Sequence, residues 1–167
     1  MNGTGENQYF FFLRLIIINR GKIMEYKLQT NNRIKPKTSC LITSMVNRLI
    51  MQGVKDIHPD DLMEIITSDY FKYAFPKRRN LEQYADTAIA AWAQLGISCW
   101  EFLETDKLQV GDIISIKAGW KQAHSLLLTS KELDVYTFWC PVNGVISLTE
   151  KQLKKKRRGG VVRARLT

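Results

Sequence analysis

Residues 38–53 read TSCLITSMVNRLIMQG, and this stretch decides how the first half of the chain folds. Its apolar side chains recur every three to four residues, which is the spacing of one face of a helix. Gln52-Gly53 is a typical helix end, and Ser39 or Thr38 can cap the other end. The pattern therefore predicts a helix that begins at Cys40.

The rest of the chain divides into a helical part and a strand-rich part. A second helix is predicted to start at His58-Pro59-Asp60-Asp61, where acidic side chains stabilise the first turn, and a third covers 81–95. Residues 68–79, which are aromatic and basic, are predicted to form a loop. Strands are predicted at 113–117, 123–129, 135–139 and 145–148. Helices followed by antiparallel strands indicate the α+β class.

Length and composition indicate one folded domain, expected to cover residues 24–153. A chain of 167 residues is long enough for one hydrophobic core and short for two. Hydrophobic residues make up 45% and charged residues 25%, which excludes wholesale disorder.

Residues 1–23 are expected to precede the domain as a non-native or flexible extension. The apolar run at 9–18 is interrupted by Arg14, spans about half a membrane and lacks the features of a signal peptide, so no integral membrane segment is expected. Arg20-Gly21-Lys22-Ile23 is what a purine-rich ribosome-binding tract would encode, so translation is expected to begin at Met24. The alternative is an extra N-terminal strand or helix.

Positive charge is concentrated at the end of the chain. The formal net charge is +9, and eight of the 25 Lys and Arg residues fall within 151–167. Residues 154–167 are therefore expected to form a basic C-terminal tail that is dispensable for folding. Such a tail is suited to phosphates or to an anionic polymer, and the alternative is a solvated basic terminus.

The three cysteines favour a free thiol over a structural role. Cys40, Cys99 and Cys140 cannot all pair, and no CxxC or Cys/His ligand spacing occurs. A disulfide framework and a structural zinc site are therefore not expected, and no cofactor is expected either.

Cys40 is the candidate nucleophile because it begins a helix. Free backbone N–H groups and the positive end of the helix dipole stabilise a thiolate there. The chain has two histidines, and His124, on a predicted strand, is the candidate base because His58 stands at a helix entrance. Gln29 or Asn32 could direct an amide N–H toward an oxyanion. The alternatives are a buried structural cysteine, a structural histidine and simple loop polarity.

Residues 28–45, LQTNNRIKPKTSCLITSM, resemble the signature of papain-like peptidases related to the bacteriocin leader-processing (double-glycine) enzymes. In that family a Gln, then Asn and Pro, precede a Thr/Ser-Cys-x-x-Thr-Ser helix start. Residues 124–128 resemble the family's His strand, and Cys140-Pro141-Val142-Asn143-Gly144 resembles its Asp-Pro-x-x-Gly turn. The resemblance covers roughly residues 25–153.

The resemblance implies a papain-like fold, with N-terminal helices packed on an antiparallel sheet. It also implies Cys40 as nucleophile, His124 as base and Gln29 as oxyanion donor. The family's third residue is the Asp of the turn, and Cys140 stands there in this chain, although a thiol orients an imidazole poorly. Asn143 or Cys140 is therefore expected beside His124, with preference for Asn143.

Three function classes follow from these observations. The first is cysteine-dependent hydrolysis of a peptide or amide bond in a precursor peptide or a cell-wall peptide. A cell-wall peptide is included as a substrate because the order of motifs is also similar to that of the NlpC-type and CHAP-type peptidoglycan hydrolases of bacteria and phages. The second is a papain-like peptide-binding domain without turnover. The third is a basic nucleic-acid binder using the tail, Tyr70-Phe71-Lys72-Tyr73 and Lys77-Arg78-Arg79.

Overall fold

The computed structural model describes residues 25–35, 38–117 and 123–165, so the expectations for residues 1–23 lie outside the described part. The helices are α1 Cys40–Met51, α2 Pro59–Ile66, α3 Asp69–Ala74, α4 Leu81–Gln94 and α5 Glu150–Lys156. The strands are β1 Trp100–Leu103, β2 Ile113–Lys117, β3 Ala123–Glu132, β4 Val135–Cys140, β5 Gly144–Thr149 and β6 Arg157–Ala164. A short 3-10 turn, Gln29–Asn31, precedes α1. The α+β class predicted from the sequence is confirmed.

Helix α1 begins and ends where its sequence pattern predicts. Its apolar face is buried, including Met45 and Val46, which are fully buried. Ser39 occupies the N-cap position but makes no capping hydrogen bond with its side chain, contrary to expectation. The reason is that Ser39 Oγ accepts a hydrogen bond from Asn32 instead.

Two further helices are set by local capping. His58 Nδ1 accepts the N–H of Asp60 at 3.0 Å at the start of α2, so this histidine is a capping residue. Residues 68–79 are not only a loop as predicted, because they contain α3. Ser68 Oγ caps that helix, and Phe71 buries one side of it in the core.

All strands belong to one antiparallel sheet of six strands in the order β1-β6-β2-β3-β4-β5. The sequence reading missed β1 and β6, which pair with each other. β6 also pairs with β2 and so lies inside the sheet.

The prediction of a basic tail at 154–167 is therefore wrong for residues 154–164. These residues form the end of α5 and the strand β6. Val161 and Val162 are fully buried, one on each face of the sheet. From the sequence, Val161 and Val162 were expected at most to add an edge strand, whereas the strand that contains them pairs on both sides. The folded domain consequently extends beyond Leu153.

Each face of the sheet carries its own core. Ile113, Leu127 and Val162 pack with α1, α2 and α4 on one face, called the helical face here. Ile114 and Leu126 pack with α5 on the other, called the α5 face. Because successive strand residues point to opposite faces, β2, β3 and β6 each contribute buried residues to both cores.

Candidate functional site

The segment before α1 is bonded to the start of that helix. Asn32, 5% exposed, donates from Nδ2 to Ser39 Oγ at 2.8 Å and to Thr43 Oγ1 at 3.0 Å. Both amide hydrogens of Asn32 are thereby used, so it cannot serve as an oxyanion donor. Cys40, the first residue of α1, is half-buried and lies in the sequence between Ser39 and Thr43, which accept these two hydrogen bonds.

Gln29 is held beside the turn that follows β4. Its backbone N–H donates to the Pro141 carbonyl at 2.8 Å, and the residue is buried. Trp139 Nε1 donates to the Lys27 carbonyl at 3.3 Å and ties the same segment to β4. Pro141 directly follows Cys140 in the sequence. The backbone hydrogen bond therefore holds Gln29, the candidate oxyanion donor, next to the neighbour of Cys140.

The imidazole of His124 contacts the sulfur of Cys140. His124 Nε2 lies 3.2 Å from Cys140 Sγ. Burial lowers the pKa of the His124 ring below its ordinary value of 6.5, so the ring is neutral at pH 7. If Nε2–H donates to the sulfur, Nδ1 carries the lone pair and can accept a proton.

Cys140, rather than the preferred Asn143, therefore provides the contact to His124. Asn143 is exposed, and its backbone N–H donates to Cys140 Sγ at 3.4 Å. The physical reason is that Cys140 is the last residue of β4 and lies on the same sheet face as His124, whereas Asn143 lies in the following turn.

The start of α1 lies at the same end of β3 as His124. Ser44 is one turn after Cys40 on the same side of α1, and Ser44 Oγ donates to the Ser125 carbonyl at 3.3 Å. Ser125 directly follows His124. Contacts therefore connect the Cys40 helix, the His124 strand, the Cys140 turn and the Gln29 segment at one end of the sheet.

Strand alternation determines how the thiol and the imidazole can meet. His124 pairs with Ile116, whose side chain belongs to the α5 face, whereas α1 packs on the helical face. In the described residues, pairing of β3 with β4 begins only at Leu127. His124 and the Cys40 helix therefore belong to opposite faces of the sheet, and the hydrogen bonds of the described residues do not include one between the Cys40 thiol and the His124 ring.

Two carboxylates that follow or precede neighbouring strands, Asp112 and Asp134, do not contact His124. Asp112, 1% exposed in its side chain, accepts from Arg163 Nε and Nη2, both at 2.8 Å. Asp134 is exposed, and its carbonyl accepts the N–H of Glu150. Neither carboxylate replaces Cys140 in this structure.

The aromatic and basic segment at 68–79 is only partly a free surface. Arg78 donates to the carbonyls of Ile66, Phe71 and Phe75, so it holds the ends of α2 and α3. Tyr70 and Tyr73 are strongly exposed. Of the four basic side chains expected to contact nucleic acid there, Arg78 is thus structural.

The described residues contain neither a metal-binding cluster nor a membrane-spanning helix. Within residues 25–35, 38–117 and 123–165, no three His, Cys, Asp or Glu side chains form a metal-binding group. The helices in that part of the chain are too short or too polar to cross a bilayer. No protein-family model matches the sequence, and a search of curated proteins finds no match.

Proposed function

We propose that the protein is a papain-like cysteine hydrolase that cleaves a peptide or amide bond in a precursor peptide or a cell-wall peptide. One observation carries the proposal: the His124 ring, whose pKa is lowered by burial, has its Nε2 at 3.2 Å from Cys140, and the next residue on β3, Ser125, accepts a hydrogen bond from Ser44 of the Cys40 helix. A neutral imidazole with one nitrogen held by a partner is the form in which histidine acts as a base.

In the proposed reaction the Cys40 thiol gives its proton to His124 Nδ1, and the thiolate attacks the carbonyl carbon of the substrate. The Cys40 backbone N–H and the Gln29 amide stabilise the resulting oxyanion. The C–N bond then breaks, and the imidazolium protonates the leaving amine. Water, deprotonated by the same imidazole, hydrolyses the thioester and regenerates the thiol.

Thiol reactivity tests the Cys40–His124 pair without knowledge of the substrate. The rate of iodoacetamide alkylation at Cys40 near pH 7 should fall in the His124→Gln variant, because a neutral imidazole that accepts the thiol proton makes the sulfur more nucleophilic. Cys99 is the internal control, because burial raises the pKa of its thiol. If alkylation of Cys40 is unaffected by His124→Gln, the two groups do not act together.

Turnover is tested with synthetic peptides and with soluble peptidoglycan fragments, by quantifying newly released amino groups. The Cys40→Ser and His124→Gln variants should lose about 10²-fold or more of any activity, while the Cys99→Ser variant should retain it. Equal activity in all three variants would exclude a Cys40-dependent hydrolase.

A peptide-binding domain without turnover is the second candidate, and Cys140 favours it. A thiol accepts hydrogen bonds weakly, and Cys140 stands where the resembling peptidases have an acid. If Cys140 limits an active enzyme, Cys140→Asn should raise the rate about tenfold and Cys140→Ala should lower it. If neither variant nor the wild type turns over, while peptides still bind, the domain is a binder.

A further inference from the structure

A cavity lies on the α5 face of the sheet, apart from the residues discussed above. Its volume is about 800 Å³, and its walls come from α5, the first residues of β6, the β3 and β4 strands and the loop at 106–108. None of Gln29, Cys40, His124 and Cys140 lines it. A function of this cavity would therefore be separate from the proposed hydrolysis.

Basic side chains outnumber acidic ones around this cavity. Four cationic residues line it, Lys107, Lys131, Lys154 and Arg157, against the two acids Asp106 and Glu150. Lys154 pairs with Glu150 at 3.5 Å and Arg157 with Asp106 at 3.6 Å. In the described part of the chain Lys107 and Lys131 form no ion pair, so the cavity has two uncompensated positive charges.

Two of the four cations have defined positions. The Arg157 side chain is 12% exposed, and its Nη2 donates to the Thr105 carbonyl. The Lys131 ammonium stands 5.1 Å above the centre of the Tyr136 ring. These contacts restrict both side chains before a ligand arrives, which lowers the entropy cost of binding.

The cavity also has an apolar wall. Leu108, Tyr136 and Leu153 line it and belong to the core on the α5 face. A single inorganic anion would use the charges alone and leave most of this volume empty. A molecule with an organic body and a charged end would use both parts of the cavity.

From these features we propose that the cavity binds a small organic phosphomonoester. Its dianionic phosphate balances the charges of Lys107 and Lys131, and its organic body contacts the wall formed by Leu108, Tyr136 and Leu153. Phosphate carries two negative charges and several acceptor oxygens, which match the two uncompensated lysines and the several N–H donors that line this cavity.

Phenyl phosphate is the probe, titrated into the full chain at constant ionic strength and followed by calorimetry and by NMR of the Gly159 amide and the leucine methyl groups. Lys107→Gln and Lys131→Gln should each weaken binding about fivefold or more, because these two charges are the ones that the phosphate balances. Lys155→Gln removes a positive charge at an exposed position outside the cavity, so it should change the affinity less than twofold. Thermal melting of each variant checks that the fold is retained.

Three results would overturn the proposal. The first is no saturable binding of phenyl phosphate. The second is equal weakening by Lys107→Gln and Lys155→Gln, which would indicate attraction by the net charge of +9 alone. The third is inorganic phosphate, or a single-stranded oligonucleotide, binding as tightly as phenyl phosphate, since the organic body would then contribute nothing.

Discussion

Removing the Arg163 guanidinium should destabilise the fold far more than removing a basic side chain from α5. Arg163→Met keeps most of the apolar stem but removes two 2.8 Å hydrogen bonds to Asp112, whose side chain is 1% exposed. The Asp112 carboxylate would still accept a hydrogen bond from the Gln109 N–H, but no positive charge would compensate its negative charge. Breaking a buried ion pair in this way costs about 3–5 kcal/mol, and the lower end applies because the Arg163 side chain is 20% exposed.

For a domain of this size a loss of about 3 kcal/mol lowers the melting temperature by roughly 6–12 °C. Urea and thermal unfolding measure the effect, with Lys154→Met as the matched control. Lys154 pairs with Glu150 at 3.5 Å on an exposed helix face, so its loss should cost less than about 0.5 kcal/mol. Adding Asp112→Asn to Arg163→Met should recover part of the loss, because the buried charge is then gone. If Arg163→Met unfolds like the control, the buried pair contributes nothing and the reasoning fails.

Three further predictions concern the sheet, the histidine and the thiols. Truncation after Lys156 removes β6 and two fully buried valines, worth about 1.5–3 kcal/mol each besides the lost strand pairing, so circular dichroism should show no cooperative unfolding. A truncated protein that melts near the intact chain would contradict this. Burial lowers the pKa of His124, so the unfolded chain binds its proton at higher pH than the folded chain does. The free energy of unfolding should therefore be unaffected above about pH 6.5 and fall below it, and His124→Gln should abolish that component of urea unfolding. Finally, mass spectrometry should find Cys40 alkylated before Cys99 near pH 6, and the reverse order would remove Cys40 as the candidate nucleophile.

Helix positions were largely predictable because their signals are local. The apolar spacing of α1 and its glycine end lie within one stretch of sequence, and so do the Pro and acidic residues at the start of α2. Capping partners were less predictable. Ser39 was expected to cap α1, but its hydroxyl accepts from Asn32, seven residues earlier, because the lead-in segment folds back on the helix.

The candidate site was predictable only in its residue types. The resemblance of residues 28–45 singles out Gln29 and Cys40 but gives no distances. It left the choice between Asn143 and Cys140 open, and the sulfur contact to His124 depends on which face of β4 each residue occupies. Similarly, no sequence pattern connects Lys107 and Lys131 with Arg157, because the cavity that joins them forms only when α5 covers the sheet.

Local sequence patterns were enough to predict the α+β class, most helix boundaries and the place of Cys40 at a helix start, because each depends on residues close together in the chain. The strand order and the role of the C-terminal segment depend instead on contacts between distant parts of the chain. Val161 and Val162 follow a strongly basic run, and only pairing with both β1 and β2 turns them into an inner strand. Strand pairing joins residues far apart in sequence, and their partners are selected by burial on both faces of the sheet, which no local pattern records.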